Sequence, residues 1–151
     1  FPTRRSSDLY IKTALVVAKD NNDIRSFEDL AGRKTSNSLG STYADMAAEY
    51  GADVQNVDTL SETIDMVLSG RVDATLNSED SFYDYLKEHP DAAFKIVALT
   101  EEASEVSIPM RKGEETASLK EAIDKALSEL ASDGTLTELS NKYFGSDISK
   151  K

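Results

Sequence analysis

The sequence of 151 residues predicts an α/β fold, in which helices flank a parallel-rich sheet. Short apolar runs alternate with helix-like segments along much of the chain, and this alternation indicates βαβ units. Apolar residues make up 39% of the chain and charged residues 30%, as in soluble globular domains. No run of 18 apolar residues occurs, so we expect no membrane span.

The first predicted strand is "TALVVAKD" (13–20), an apolar run that leads into a "DNND" turn. A helix of little more than one turn follows in "SFEDLAG", with Ser26 as N-cap and Gly32 as its end. The next stretch, "RKTSNSL", is polar, and we predict a strand there from its position alone. "TYADMAAEYG" then predicts a helix that ends at Gly51.

The pattern of strand and helix continues to residue 99. "ADVQNVDT" predicts a short strand, and "TLSETIDMVLSG" a helix in which Thr59 and Glu62 have capping-box spacing. "RVDATLN" predicts the next strand, "SEDSFYDYLKEHP" a helix that ends before Pro90, and "FKIVAL" a further strand.

In the last third of the chain the alternation of strands and helices gives way to one short alternating stretch and two helices. "EVSIPMRKG" alternates and contains Pro109, which suits an edge or linking strand. Two helices follow, "TASLKEAIDKALSELASDG" and "TLTELSNKYFG", each with an apolar stripe. Because the helices of the preceding body already cover its sheet, we expect this tail to belong to another sheet and the chain to be a fragment.

Composition excludes several classes of function. The net charge of −11 disfavours nucleic acid and anionic membranes as partners, because phosphate binding needs clustered Lys and Arg. The chain has no cysteine, so disulfides and thiolate metal sites are excluded. Its single histidine, His89, leaves no Ser/His/Asp set and no histidine-rich metal cluster. We expect no metal and no cofactor.

The first candidate site is Gly40-Ser41-Thr42, where a predicted strand passes into a helix. The first N–H groups of a helix lack intrahelical partners and the helix dipole is positive there, so this turn suits an anion. Gly40 allows close backbone approach, and Tyr43 is a candidate for the lining of the cleft. The alternative is that Ser41 or Thr42 only caps the helix.

The second candidate site lies at the end of the "RVDATLN" strand. Asn77, Ser78, Glu79 and Asp80 follow that strand, and parallel geometry predicts that they share an edge with Ser41. Carboxylates there suit an ammonium group, although Ser78 or Asp80 as a helix cap is again the alternative. Donors on one loop and acids on the next suit a zwitterion, with Asn77 lining the cleft.

The start of the chain differs from the rest. "FPTRRSSDL" begins without Met and has neither a signal core nor a strand or helix period. It resembles a stretch found at the broken ends of metagenome-derived reading frames, where adapter sequence has been translated. We therefore set residues 1–9 aside as a non-native, adapter-derived segment.

Five stretches in this order resemble the polar amino-acid solute-binding proteins of ABC importers, and among these the cystine-binding group. The resemblance covers residues 10–151 and implies a type II periplasmic-binding-protein-like fold, whose two lobes close on a ligand. The stretches are "DNNDIRSFEDLAGRK", "SLGSTYADMAAEYGA", "SGRVDATLNSEDSFYDYLKEHPDAAFKIVAL", "IPMRKGEE" and "KALSELASDGTLTELSNKYFGSDISK".

The resemblance also implies a domain map. Residues 10–18 would be the outgoing crossover strand, 19–105 the ligand-binding lobe two, and 106–151 the return strand with the C-terminal helices of an incomplete first lobe. It further implies an amino-acid ligand, ABC importer permease subunits as partners, and a periplasmic or cell-surface lipoprotein.

Site roles also follow from the resemblance. The ligand carboxylate would meet the helix start at Ser41 and Thr42, and an arginine of lobe one upstream of this chain. Relatives usually hold the ligand amine with an Asp at the position that is Ser78 here, so Glu79, and next Asp80, are expected to take that role. The polar "TSNS" strand favours cystine over histidine, arginine or glutamine.

Two other functions compete with amino-acid binding. The first is an extracytoplasmic prephenate or arogenate dehydratase on the same fold, for which Glu79 is the candidate general acid. The second is the ligand-sensing module of a membrane receptor. No chemical step is expected in the leading interpretation, so the protein is not predicted to be an enzyme.

Overall fold

The computed structural model describes residues 9–111 and 113–150. The described chain divides into two compact units, one of residues 12–101 and one of residues 9–11, 102–111 and 113–150. We call them the sheet unit and the tail unit. Residues 1–8 of the segment set aside above lie outside the described residues. Leu9 does not: it forms part of a strand.

Seven strands and five helices follow one another along the described chain. The strands are β1 (Leu9–Ile11), β2 (Thr13–Ala18), β3 (Lys34–Ser38), β4 (Asp53–Val57), β5 (Ala74–Ser78), β6 (Phe94–Leu99) and β7 (Ser104–Val106). The helices are α1 (Thr42–Glu49), α2 (Leu60–Leu68), α3 (Glu79–Glu88), α4 (Ala117–Ser132) and α5 (Thr135–Phe144). Short 3₁₀ helices cover Phe27–Leu30 and Glu114–Thr116.

The sheet unit is built on a five-stranded sheet in the order β4-β3-β5-β2-β6. β3 pairs in parallel with both β4 and β5, as the sequence predicts. β2 pairs antiparallel with both β5 and β6, so the sheet is mostly parallel with one reversed strand. A buried apolar run such as "TALVVA" has the same pattern in either direction, which is why its direction could not be read from sequence.

Alternating residues of the strands build a core on each face of this sheet. On one face Leu15 and Leu76 pack with Ala47 of α1, and on the other Val16 packs with Ile64 of α2 and Phe82 of α3. Phe27 and Leu30 of the first 3₁₀ helix belong to the same core cluster as Leu15 and Leu76. The helices of the sheet unit therefore cover both faces of its sheet.

The last strand of the sheet, β6, carries a bulge. Leu15 lies opposite Ala98, but the next residue, Val16, lies opposite Ile96, so Val97 has no partner in β2. A bulge of this kind bends a strand and increases its twist. β6 pairs with β2 alone, and this irregularity therefore lies on an edge of the sheet.

The tail unit contains a two-stranded antiparallel sheet, β1 with β7, followed by α4 and α5. Its register places Leu9 opposite Val106. α4, which carries the first of the two predicted apolar stripes, contains no buried residue. Ile148, after α5, is buried, and its carbonyl oxygen accepts a hydrogen bond from the Tyr10 N–H at 2.8 Å.

Two predicted segments differ from the observed elements. The stretch 10–18, predicted as one crossover strand, is two strands separated at Lys12. The resemblance places the return strand at the start of 106–151, whereas β7 covers Ser104–Val106. Pro109 has no N–H to donate to a ladder, so the alternating pattern around it did not extend the strand.

The helices within residues 9–111 and 113–150 include none that combines the length and apolar character needed to cross a bilayer.

Candidate functional site

The two candidate loops lie at one edge of the sheet. β3 leads into α1 and β5 leads into α3, and these strands are adjacent and parallel. Their register pairs Thr35 with Ala74 and Ser36 with Thr75, so both strands end at the same edge. Ser41 and the residues that follow β5 therefore come after adjacent parallel strands, at the carboxyl ends of those strands.

The start of α1 has donors without acceptors. Ser41 is the N-cap of α1, and its Oγ accepts a hydrogen bond from the Ala44 N–H at 3.2 Å. The N–H groups of Thr42 and Tyr43, the next two residues, meet no acceptor in residues 9–111 or 113–150. Gly40 has a left-handed φ of 69°, and a Cβ built on it would meet no atom within 4 Å.

The start of α2, by contrast, is closed by the chain itself. Thr59 Oγ1 accepts from the Glu62 N–H at 3.2 Å, and Glu62 Oε2 accepts from the Thr59 and Asp58 N–H groups, each at 3.0 Å. These backbone donors lower the pKa of Glu62. The position in α1 that corresponds to Glu62 is Ala44, which has no carboxylate. The chain therefore supplies an anion to α2 and none at that position of α1.

At the end of β5, Ser78 and Asn77 bond within their own loop. Ser78 is the N-cap of α3, but its side chain makes no capping hydrogen bond; its Oγ lies 2.7 Å from Ser81 Oγ. Asn77 Oδ1 accepts from the Ser78 N–H at 2.8 Å. Ser78 therefore occupies the N-cap position of α3, but its hydroxyl does not cap the helix.

The two acids of this loop differ in their surroundings. Glu79 is 8% exposed, and its Oε1 accepts from the Lys12 N–H at 3.1 Å. Burial, together with the Glu79 carboxylate, raises the pKa of Tyr83. Asp80 Oδ1 is shielded from solvent and has no hydrogen-bond partner among the described residues. A carboxylate oxygen without a partner is costly to bury, so Asp80 retains unused capacity to accept.

The polar residues of β3 have structural roles that the sequence did not reveal. Ser36 Oγ donates to the Thr63 carbonyl oxygen of α2 at 3.1 Å, and Thr75 Oγ1 donates to the Ser36 carbonyl oxygen at 2.7 Å. Asn37 Nδ2 donates to the Leu76 carbonyl oxygen at 2.8 Å. The sequence does hold one indication of these roles. Ser36 and Asn37 are consecutive polar residues in a strand that its position in the sheet requires to be buried, and buried polar side chains are normally hydrogen-bonded.

A cavity of about 360 Å³ lies at the other ends of the strands, away from the two candidate loops. None of the predicted site residues lines it. It is lined in part by Ala18 at the end of β2 and by Asp73, just before β5 begins, together with Asp20 and Asp23. Within the described ranges, no group of three His, Cys, Asp or Glu residues is placed to hold a metal ion.

Comparison with known proteins identifies the family. Residues 5–146 match the profile of bacterial extracellular solute-binding proteins, family 3. The chain is 38% identical over 146 residues to the L-cystine-binding protein TcyA of Bacillus subtilis, covering 95% of this chain and 54% of TcyA. It is 33% identical over 142 residues to the L-cystine-binding protein TcyJ of Escherichia coli, covering 91% of this chain and 51% of TcyJ.

Solved structures show the same likeness. The unliganded, open L-cystine solute receptor of Neisseria gonorrhoeae is 36% identical with a TM-score of 0.80, over 99% of this chain and 62% of that one. An ancestral arginine-binding protein bound to arginine is 35% identical with a TM-score of 0.74, over 95% of this chain and 64% of that one.

The sheet unit, with its helix-flanked and mostly parallel sheet, has the fold of type II periplasmic binding proteins. The chain belongs to family 3 of the bacterial extracellular solute-binding proteins, and within it resembles the cystine-binding proteins. A further relative, from Haemophilus influenzae, is named as a probable amino-acid ABC transporter-binding protein; it is 33% identical over 93% of this chain and 54% of that protein. The chain spans about half the length of these curated relatives, 54% in the case of TcyA.

Proposed function

We propose that the protein is the extracytoplasmic substrate-binding component of an amino-acid ABC importer and that it captures a polar, zwitterionic amino acid, with L-cystine favoured. The observation that carries the proposal is the open start of α1, where the N–H groups of Thr42 and Tyr43 lack acceptors within the described ranges. That opening shares a sheet edge with the acids after β5.

The ligand carboxylate is assigned to Gly40, Ser41 and Thr42, with Tyr43 beside it. Two free N–H groups at the positive end of a helix favour a carboxylate. Gly40 leaves room for close approach, because a Cβ there would face open space. Ser41 Oγ already accepts from Ala44, but its hydroxyl hydrogen remains available to the ligand.

The ligand ammonium is assigned to the loop after β5, to Asp80 with Ser78 beside it and Asn77 lining the cleft. Glu79, the first acid expected in this role from the sequence, accepts from the Lys12 N–H instead. Asp80 is the strongest of these candidates because its Oδ1 has no partner among the described residues. An ammonium group would form charge-assisted hydrogen bonds with that carboxylate. Ser78 carries a hydroxyl where relatives usually carry an aspartate, so the ammonium is expected to be held by fewer charges than in those relatives.

Cystine is favoured because the relatives described above are named as cystine-binding proteins. In the proposed domain map, residues 19–105 form lobe two and residues 106–151 belong to lobe one, joined through the crossover at 10–18. Importer permease subunits are the proposed partners, and the protein is proposed to be periplasmic or a lipoprotein of the cell surface. The dehydratase alternative is not favoured, because the Oε1 of its candidate acid, Glu79, already accepts from a backbone N–H.

The test is an amide-resolved NMR titration of the 151-residue chain with L-cystine and then with other amino acids. We expect shifts at Thr42, Tyr43 and Ser78–Asp80, and none at Thr59 and Glu62, whose helix start is closed. Shifts confined to other parts of the chain would show that the site is wrong.

Two substitutions at Thr42 sharpen this experiment. Thr42→Pro removes one of the two N–H groups at the first position of α1, where proline is tolerated, and the extended φ and ψ of Ser41 suit a residue before proline. Thr42→Ala keeps the N–H and removes only the side chain. We expect Thr42→Pro to weaken binding about tenfold or more and Thr42→Ala to weaken it less. Equal affinities for both variants and the parent chain would contradict the assignment.

A further inference from the structure

Two backbone amides at the entry to the sheet unit are held by side chains from distant parts of the chain. Lys12 is the first residue of the sheet unit, and Ile11, its neighbour, belongs to the tail unit. The Lys12 N–H donates to Glu79 Oε1 at 3.1 Å, across 67 positions of sequence. The Thr13 N–H donates to Thr100 Oγ1 at 3.1 Å, across 87 positions.

Each of these bonds has a reciprocal partner. The Glu79 N–H donates to the Lys12 carbonyl oxygen at 3.0 Å, and the Thr100 N–H donates to the Thr13 carbonyl oxygen at 2.9 Å. Glu79 is the first residue of α3, and Thr100 is the penultimate residue of the sheet unit. The chain enters the sheet unit at Lys12 and leaves it just after Thr100. Near both points its backbone is therefore held by hydrogen bonds within the sheet unit.

The Glu79 bond joins the carboxylate of a buried side chain to a backbone amide. Glu79 is 8% exposed, and a carboxylate that accepts from an amide forms a charge-assisted bond. Its neighbours in the loop are otherwise occupied or directed elsewhere: Ser78 bonds to Ser81, and Asp80 retains a free oxygen. The two acids of the loop therefore differ: Glu79 holds a backbone amide, and Asp80 keeps an oxygen that can accept from a ligand.

We propose that Glu79 is a positioning residue. Its carboxylate fixes Lys12 to the start of α3 and does not contact the ligand. The inference rests on the proposed function, because it makes the ammonium-binding loop and the entry point of the chain one rigid piece. A ligand bound at Asp80 then stabilises the backbone at Lys12 through Glu79, which is the chain neighbour of Asp80 and the hydrogen-bond partner of Lys12.

The charge and the acceptor of Glu79 can be separated experimentally. Glu79→Gln keeps an oxygen that accepts from Lys12 but removes the negative charge, whereas Glu79→Ala removes both. Glu88→Ala is the matched control, because Glu88 is an exposed acid at the far end of α3. Amide hydrogen exchange of the full chain, first without ligand, reports the Lys12 N–H directly.

We expect the Lys12 amide to exchange roughly tenfold to a hundredfold faster in Glu79→Ala than in the parent chain, with Glu79→Gln restoring most of the protection and Glu88→Ala leaving it unchanged. Unchanged protection in Glu79→Ala would overturn the proposal, as would a Glu79→Gln variant that exchanges as fast as Glu79→Ala. Because this part needs no ligand, it is decided even if the proposed function fails.

The ligand part of the experiment uses L-cystine. We expect Glu79→Gln to bind it within about twofold of the parent chain, whereas a carboxylate that paired with the ammonium would lose about tenfold or more on becoming an amide. A large loss in Glu79→Gln would assign the ammonium to Glu79 and overturn the positioning role. Thr100→Val and Thr100→Ser extend the test to the second tie, with rapid exchange of the Thr13 amide expected only in Thr100→Val.

Discussion

Asn37 and Leu76 are joined by a hydrogen bond of 2.8 Å, which the Asn37 side-chain amide donates to the main-chain carbonyl oxygen of Leu76. Asn37 is 1% exposed and lies in β3 just before the Gly40 loop, while Leu76 lies in β5 just before the Ser78 loop. The bond therefore fixes the relative positions of the two loops assigned to the ligand.

Replacing Asn37 tests this connection. We expect Asn37→Ala to lower the free energy of unfolding by about 1–3 kcal/mol, because it leaves a buried carbonyl group without one of its donors. Urea denaturation measures the effect. Asn56→Ala is the control, since Asn56 lies opposite Asn37 on β4 and is exposed. Equal losses in the two variants would contradict a special role for Asn37.

Ser78 offers a gain-of-function test. We expect Ser78→Asp to tighten the binding of a zwitterionic amino acid about tenfold, because it adds a carboxylate at the end of β5 beside Asp80. NMR titration or calorimetry with L-cystine measures the change. Ser128→Asp adds the same charge on exposed α4 and should leave affinity unchanged. Weaker binding by Ser78→Asp would argue that the ammonium lies elsewhere.

Asp147 makes the tail unit sensitive to acid. Its carboxylate accepts from Ser149 and Thr137 and pairs with Lys150 at 3.0 Å, and the Ser149 hydroxyl, foremost, holds its pKa well below the usual value of 3.8. A lowered pKa in the folded state means that the stabilisation is complete above the unfolded value and declines as pH falls below it.

The effect of acid can be tested by comparing the stability of Asp147→Asn with that of the parent chain at several pH values. At pH 7 we expect Asp147→Asn to be less stable than the parent chain, with the difference shrinking as pH falls below about 3.8 toward the folded-state pKa. Denaturation midpoints between pH 7 and pH 2 measure this trend. Asp91→Asn, at an exposed carboxyl, should show no such convergence. If the difference in stability between Asp147→Asn and the parent chain stayed the same from pH 7 to pH 2, the lowered pKa of Asp147 would not contribute to stability.

Ser140 forms two hydrogen bonds with the segment that follows α5. Its hydroxyl donates to the Ser146 carbonyl oxygen and accepts from the Ile148 N–H, both at 2.8 Å, and the residue is 3% exposed. We expect Ser140→Ala to destabilise this segment by about 1–3 kcal/mol, seen as faster exchange of the Ile148 and Tyr10 amides. Ser132→Ala, which removes only an exposed bond within α4, should leave both amides unchanged.

The helices of the sheet unit could be predicted because their signals are local. The capping box of Thr59 and Glu62 lies within four residues, and both halves of it are present. Gly51 and Gly70, predicted as helix ends, have the left-handed φ angles that favour glycine. The shared edge of the two candidate loops was predictable for a similar reason, since parallel neighbours end together.

What the sequence could not provide depends on distant partners. Nothing local distinguishes Glu79, whose acceptor oxygen meets Lys12 across 67 positions, from Asp80, whose oxygen remains unpaired. The same holds for β3, where Ser36 and Asn37 look unsuited to a buried strand until Thr63 and Leu76 are placed beside them. The direction of β2 was lost because a run of buried apolar residues has no polarity along the chain.

The bulge at Val97 has a consequence for the protein in concentrated solution. β6 presents an apolar edge, from Phe94 to Leu99, of the kind on which a further strand from another molecule can add. Because Val97 interrupts the regular spacing of amide and carbonyl groups, an incoming strand would lose register midway along the edge. We therefore expect the irregularity to disfavour the addition of strands from other molecules at this edge.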